Sequence, residues 1–222
     1  MSVRKLSLAT AAMAIGLAAN VARAETVLIT GANQGIGLEF AKQYAARGWT
    51  VIAAHRRPST PEELAKLAEK YPKVQIERMD VTDAAQIEAL GAKMKGKPID
   101  ILLNNAGMIR TDPIGTPGGN RNQMFGTLDY ALLDDFIHTN VGGPLKITET
   151  FIDNVRAGKQ KKIVSISSAA GSVSRKPFMP NGSPVPDHYW YRISKAALNS
   201  SMRLVSAQFE KEGITVVMFH PG

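Results

Sequence analysis

Short apolar runs alternate along this chain with longer stretches whose apolar positions recur at helical spacing. Thr26-Val27-Leu28-Ile29, Thr50-Val51-Ile52-Ala53-Ala54, Val74 to Met79, Ile99 to Leu103, Ile163 to Ser168 and Ile214 to Phe219 are short, β-branched and continuous, the pattern of strands buried on both faces. Between them, Ile36, Phe40 and Tyr44 predict a helix that stops at Gly48, and Leu64, Leu67 and Ala68 a second one. The second opens on Thr60-Pro61-Glu62-Glu63, read as a capping box with proline at the first helical position. Asp80-Val81-Thr82-Asp83 leads into a capped helix carrying Ile87, Leu90 and Met94. Leu128 to Val155 reads as one long helix or two abutting ones, with Gly142-Gly143-Pro144 marking a break or kink. A last helix runs from Tyr189 to Glu212. Strands alternating with helices predict an α/β fold, a doubly wound parallel sheet with helices on both faces. Right-handed crossovers then place a ligand at the carboxyl ends of the strands.

The chemistry-bearing residues fall at those ends. Thr30-Gly31-Ala32-Asn33-Gln34-Gly35-Ile36-Gly37 joins the first strand to the first helix. A glycine-rich turn there brings backbone N–H groups and a helix N-terminus against a phosphate, since no Cβ blocks the approach. The spacing is G-x-x-x-G-x-G, so the commoner dinucleotide pattern fits imperfectly. Near the other end, Tyr191 and Lys195 stand four apart on one helical face. A nearby cation favours phenolate, which lets a tyrosine exchange a proton with a carbonyl or alcohol oxygen. Ser168, closing the fifth strand, is placed to hydrogen-bond the same oxygen.

Composition narrows the alternatives. The 222 residues, 44% hydrophobic and 21% charged, suit one globular domain with a sizeable core. There is no cysteine, which excludes disulfides and thiolate catalysis. The net charge of +8 is partly contributed by Arg4, Lys5 and Arg23; without them 24 basic residues face 19 acidic ones, or +5. The densest remaining cluster, Arg156, Lys159, Lys161 and Lys162, reads as a solvated loop, so nucleic acid is not expected as a partner. His55, His138, His188 and His220 show no ligand spacing, and no metal is expected. Residues 1–24 have the layout of a secretory signal: Arg4-Lys5, an apolar run from Leu6 to Ala19, and Ala22-Arg23-Ala24 as a cleavage site. It is too short and alanine-rich for a stable membrane span. Two readings stay open: an exported, periplasmic protein with its domain at 25–222, or a cytoplasmic one with a misassigned start.

The ordered series Thr30 to Gly37, Asp80-Val81, Asn104-Asn105-Ala106-Gly107, Asn140-Val141-Gly142-Gly143, Ser167-Ser168, Tyr191 with Lys195, and Pro221-Gly222 resembles the short-chain dehydrogenase/reductase family. The long loop before Tyr191 and the helix at Leu133-Asp134-Asp135-Phe136 are similar to the carbonyl-reductase and C-factor-like branch. The resemblance implies a Rossmann-type sheet and an oxidoreductase moving hydride between a nicotinamide cofactor and a small carbonyl or secondary alcohol. It implies Tyr191 as acid/base, Lys195 as the group that lowers the tyrosine pKa and holds the nicotinamide ribose, and Ser168 as the anchor of the substrate oxygen. Asn140 would kink its helix and hold a water linking Lys195 to solvent. Gly31, Asn33, Gln34, Gly35, Ile36 and Gly37 would wrap the phosphates. Asp80 and Val81 would meet the adenine, Asn104 and Ala106 would line the adenosine side, and Pro221 and Gly222 would flank the nicotinamide.

Cofactor choice follows from charge. A carboxylate ending the second strand accepts from a ribose 2′-OH and repels a 2′-phosphate, whereas an arginine binds the phosphate. Here His55 is followed by Arg56 and Arg57, so NADP(H) is expected, with Arg56 the contact and NAD(H) possible. Relatives of this kind form oligomers through helices that here span Asp134 to Val155 and Tyr191 to Glu212, so a homo-oligomer is expected. Two features depart from the family. Pro177, Pro180, Pro184 and Pro186 stiffen an extended loop, in which Phe178, Met179 and Trp190 either wall the substrate pocket or pack the loop on its own core. The chain also reads as truncated after the sixth strand, leaving an exposed sheet edge and a rival reading as a weakly active or inactive nucleotide-binding protein with a signalling role.

Overall fold

Six parallel strands lie in the order β3-β2-β1-β4-β5-β6. The computed structural model describes residues 24–109, 121–174 and 188–222; the signal-like segment up to Arg23 and the loop residues Pro177 to Pro186 lie outside the described residues. The strands are β1 (Thr26–Thr30), β2 (Thr50–His55), β3 (Val74–Arg78), β4 (Ile101–Asn104), β5 (Lys162–Ile166) and β6 (Thr215–Phe219). The helices are α1 (Gly35–Ala46), α2 (Glu62–Lys70), α3 (Ala84–Lys93), α4 (Leu132–Ile137), α5 (Gly143–Arg156) and α6 (Tyr189–Phe209).

Strand β1 is buried along its whole length because it pairs with β2 on one side and β4 on the other. Its alternation sends Leu28 to one face and Val27 and Ile29 to the other. On the first face Leu28, Ile52 and Leu102 meet Ile87 of α3, Phe151 of α5 and Leu198 and Met202 of α6. Phe151 is wholly buried there and contributes about 1.5–3 kcal/mol. On the second face Val27, Ile29 and Leu103 meet Ala41 and Ala45 of α1 and Leu64 and Leu67 of α2. At the sheet edge β6 leaves Val217, Met218 and Phe219 more than a third exposed. The start of β1 is fixed by a buried carboxylate: Asp100 accepts from Thr26 N at 2.7 Å and from Lys159 N at 2.6 Å.

Two helices need a closer description. The residues of α1 buried against the sheet are Gly37, Ala41 and Ala45, while Ile36 is 44% exposed and Phe40 and Tyr44 are half-buried. Small residues let the helix approach the sheet closely, and the larger ones lie on its flank, where Tyr44 packs on Trp49 at 4.8 Å between ring centroids. Helix α2 starts one residue later than a proline at its first position requires. Pro61 is the N-cap and no side chain caps the helix, so the capping box does not form. Helix α3 has the cap expected of it, Asp83 accepting from Gln86 N. No helix among the described residues is long and apolar enough to cross a membrane.

Candidate active site

The sheet order reverses between β1 and β4, and the loops leaving these two strands are tied together. Thr30 Oγ1 accepts from both Asn105 N and Ala106 N at 3.0 Å. Asn105 in turn donates its Nδ2 to Thr30 O at 2.9 Å and Gly31 O at 3.2 Å. Gly31 has φ +66°, and a Cβ on it would sit 2.9 Å from Ala106 Cα. A Cβ on Gly37 would collide with Gly31 O and Asn105 Nδ2. Glycine is therefore required at both positions by close backbone approach. Helix α1 begins after Gln34 with no side-chain cap and no acid in its first turn, so its opening N–H groups and positive dipole end face outward beside the exposed Gln34 and Gly35. That is the electrostatic requirement of a phosphate site. Asn33 lies half-buried in the same turn.

At the end of β2, His55 is 3% exposed and its Nδ1 has no hydrogen-bond partner among the described residues. Burial holds its pKa below the ordinary value, and the charges of Arg78 and Arg57 add to the effect. Arg56 and Arg57 are both exposed, and it is Arg57 that reaches the glycine turn, donating Nη2 to Gln34 Oε1 at 3.2 Å. Asp80 Oδ1 accepts from Thr82 N and Oγ1, while buried Val81 lies against Gly143 at the start of α5. Asn104 is 3% exposed inside the sheet, donating Nδ2 to Thr148 Oγ1 at 3.4 Å; the exposed loop begins after it. Pro221 and Gly222 are exposed beyond the end of β6.

The second half of the site is built where α4, α5 and α6 meet. Between α4 and α5, His138–Gly142 form a π-helical turn, in which Gly143 N–H reaches back five residues to His138 O. Pro144 has no N–H to offer the carbonyl four residues before it, that of Asn140. The Asn140 side chain is fully buried and makes three hydrogen bonds: Oδ1 accepts from Met108 N at 2.7 Å, and Nδ2 donates to Met108 O and Ser194 Oγ, both at 2.8 Å. Lys195 is 5% exposed, donates Nζ to Ile166 O at 2.7 Å, and lies 5.8 Å from the centre of the Tyr191 ring. Burial pulls its pKa down to about 8. The Tyr191 ring is half-buried and meets that of His188 edge-on at 6.4 Å. Ser168 caps a short 3-10 turn, Ala169–Gly171, its Oγ accepting from Ala170 N at 3.1 Å. A Cβ on Gly171 would strike the Lys195 backbone, so this turn lies directly on the lysine.

Tyr191, Lys195, Asn140 and the turn that starts at Ser168 are thus gathered on α6. Gly107 joins them to the nucleotide side: a Cβ there would be 3.2 Å from Asn140 Oδ1 and 3.5 Å from Lys195 Nζ. Comparison with known proteins then fixes the lineage. The sequence model of short chain dehydrogenases matches residues 25–222. The chain belongs to the short-chain dehydrogenase family. An uncharacterized oxidoreductase of Schizosaccharomyces pombe is 33% identical over 199 residues, covering 88% of this chain and 71% of the relative. A short-chain dehydrogenase/reductase of Arthrinium is 30% identical over 201 residues, covering 87% and 72%. Among solved structures, a short-chain dehydrogenase/reductase from Burkholderia multivorans with bound NADP superposes with a TM-score of 0.75 at 33% identity, over 90% of this chain and 79% of that one. The NADPH-bound carbonyl reductase from chicken fatty liver gives 0.74 at 32%, over 90% and 80%.

Four residues of this short-chain dehydrogenase site escaped the sequence reading as individuals. Asn105, inside a motif already noted, ties the two loops. Asn199 follows Lys195 by one helical turn, accepting from Ser167 Oγ at 2.5 Å and donating to Gly171 O at 3.3 Å, so it binds the Ser168 turn to α6. Its i+4 spacing was a usable signal. Gln123 had none, because Tyr191 is 68 residues away, and Ser194 had none for its bond from Asn140, 54 residues away.

Proposed function

We propose that this short-chain dehydrogenase is an NADP(H)-dependent oxidoreductase acting on a carbonyl compound or the corresponding secondary alcohol. The nicotinamide, when bound, supplies or receives the hydride at its C4. Tyr191 protonates the carbonyl oxygen during reduction and takes the proton back during oxidation. Lys195 brings its ammonium to 5.8 Å from the centre of the Tyr191 ring. Ser168 offers a hydroxyl to the same oxygen at the mouth of β5. Asn140 holds the loop at Met108, whose neighbour Gly107 borders Lys195, and so keeps the cofactor side against the proton-transfer side. The carrying observation is the buried Lys195 ammonium beside the Tyr191 ring.

NADP(H) preference rests on Arg56 and Arg57 at the end of β2 and on the lack of a carboxylate there. The NADP-bound and NADPH-bound neighbours support it. The test is NADPH consumption with a carbonyl panel, in the wild type and in Tyr191→Phe. Turnover in the wild type that falls by about 100-fold or more on substitution supports the assignment. Cofactor binding without turnover in either protein would instead support a nucleotide-binding role. Arg56→Asp should move preference toward NADH, and an unchanged NADPH-to-NADH ratio would count against the 2′-phosphate assignment.

A further inference from the structure

Tyr191 occupies an unfavourable position for a group that must be held still. It is the third residue of α6, in the first turn, where backbone N–H groups have no intrahelical partner. The N-cap side chain ordinarily takes the N–H of the third residue. Here the N-cap is His188, in the left-handed region at φ 63°, and its side chain caps nothing in the helix. The first turn also carries no acid. The Tyr191 N–H instead donates to Gln123 Oε1 at 3.1 Å, 68 residues away in sequence. Gln123 is fully buried in the 3-10 turn Arg121–Gln123, and its Nε2 donates to Ile109 O at 3.1 Å.

These bonds close a ring. From Ile109 the chain steps back to Met108, which is held by Asn140. Asn140 donates to Ser194 Oγ, and Ser194 Oγ donates to Tyr191 O at 2.8 Å. Both backbone polar groups of Tyr191 are therefore gripped by buried side chains, Gln123 at the N–H and Ser194 at the C=O. The donor and acceptor order fixes the amide orientations. Turning the Gln123 amide over would set its oxygen against Ile109 O and its NH2 against Tyr191 N–H. Gln123, Asn140 and Ser194 are all 0% exposed, so their side chains are shielded from competing water.

We infer that Gln123 is a positioning residue for catalysis, acting as the N-cap of α6 from a remote loop and locking Tyr191 to the Met108-Ile109 segment beside the cofactor side. The inference rests on the assignment of Tyr191 as acid/base. A displacement of about 1 Å at such a group costs on the order of 100-fold in rate.

The test uses the full chain with Gln123→Met, which keeps length and shape but removes the hydrogen bonds to Tyr191 N and Ile109 O, and Gln123→Glu, which keeps the acceptor for Tyr191 N–H. Tyr191→Phe is measured in parallel with NADPH and a carbonyl substrate that the wild type turns over. Gln123→Met is expected to lower kcat by about 10- to 100-fold with NADPH affinity within about threefold of wild type, and to speed amide exchange at the start of α6. Gln123→Glu is expected to retain more of kcat than Gln123→Met and to slow that exchange again. Should Gln123→Met fail to fold, Gln123→Glu against wild type carries the test: exchange at Tyr191 stays slow while exchange at the Met108-Ile109 segment rises. A Gln123→Met enzyme with kcat within twofold of wild type well below its melting temperature would overturn the inference. So would a Gln123→Glu enzyme in which the Tyr191 amide exchanges as fast as in Gln123→Met. If Tyr191→Phe itself leaves turnover intact, the acid/base assignment fails, and that outcome is distinct from retained activity in Gln123→Met alone.

Discussion

The two halves of the site are held by different means. On the nucleotide side the turn after β1 is shaped by glycines that let its backbone approach the loop after β4 closely, with Thr30 and Asn105 as the main side-chain ties between the two loops. On the proton-transfer side Asn140, Tyr191 and Lys195 are held by the Met108 backbone in the loop after β4, by the Gln123 side chain and by the Ile166 carbonyl of β5. A cradle for phosphates has only to present N–H groups and exclude Cβ atoms, which glycines at set positions accomplish. An acid/base pair needs a specific distance and a specific charge environment, which only tertiary contacts supply.

The contrast breaks most sharply at Gly37. Gly37→Ala puts a Cβ on Gly31 O and Asn105 Nδ2. Overpacking of this kind costs about 1–3 kcal/mol, and NADPH titration by fluorescence should find no binding in the range where wild type saturates. Retained binding would show that the turn relaxes at little cost.

Lys195 tests the other half through pH. Its pKa falls from the ordinary 10.5 to about 8 on burial, so as pH rises the folded chain loses this proton before the unfolded chain does. Between those values the unfolded state binds more protons, and stability must rise with pH. The burden of the buried charge is fully present below pH 8 and is relieved by pH 10.5. Relative to Lys195→Met, which lacks the group, apo wild type should gain about 3 kcal/mol across that window in urea unfolding. The Ile166 carbonyl left unpaired in the variant adds an offset that does not vary with pH. A difference that is flat with pH would place the lysine in solvent.

Thr30→Val removes one acceptor serving two backbone N–H groups at a residue 1% exposed. A loss of about 1–3 kcal/mol is expected, together with weaker NADPH binding but a nearly unchanged kcat at saturation. A fall in kcat with binding intact would mean that the halves are not separable. The smallest effect is at Arg57: its replacement by Ala changes stability by less than about 0.5 kcal/mol, because the side chain is exposed. NADPH affinity should drop several-fold while NADH affinity holds, as read by parallel titrations.

The same division explains what the sequence disclosed. Strand runs such as Val27-Leu28-Ile29 and the Thr30 to Gly37 turn carry their meaning locally, and the strand and helix order followed from them. Helix α1 was legible from Ile36, Phe40 and Tyr44, but its close approach to the sheet runs through Gly37, Ala41 and Ala45, which a periodicity of bulky residues does not mark. The break before α5 was expected at Gly142-Gly143-Pro144, but its form, a π turn that buries the Asn140 side chain, depends on Met108 and Ser194. Gln123 was illegible for the same reason: a glutamine in a loop of Gly, Pro and Asn has no local pattern that announces a partner 68 residues away.

The most direct test of the proposed chemistry is transfer of label. NADPH deuterated at C4 on the transferring face is incubated with the wild type and a turned-over carbonyl, and the alcohol is examined by mass spectrometry. One deuterium at the carbinol carbon for each NADPH consumed, with none in a Tyr191→Phe protein that still binds NADPH, is the predicted result. Bound NADPH that transfers no deuterium to any carbonyl of the panel, even in the wild type, would contradict it.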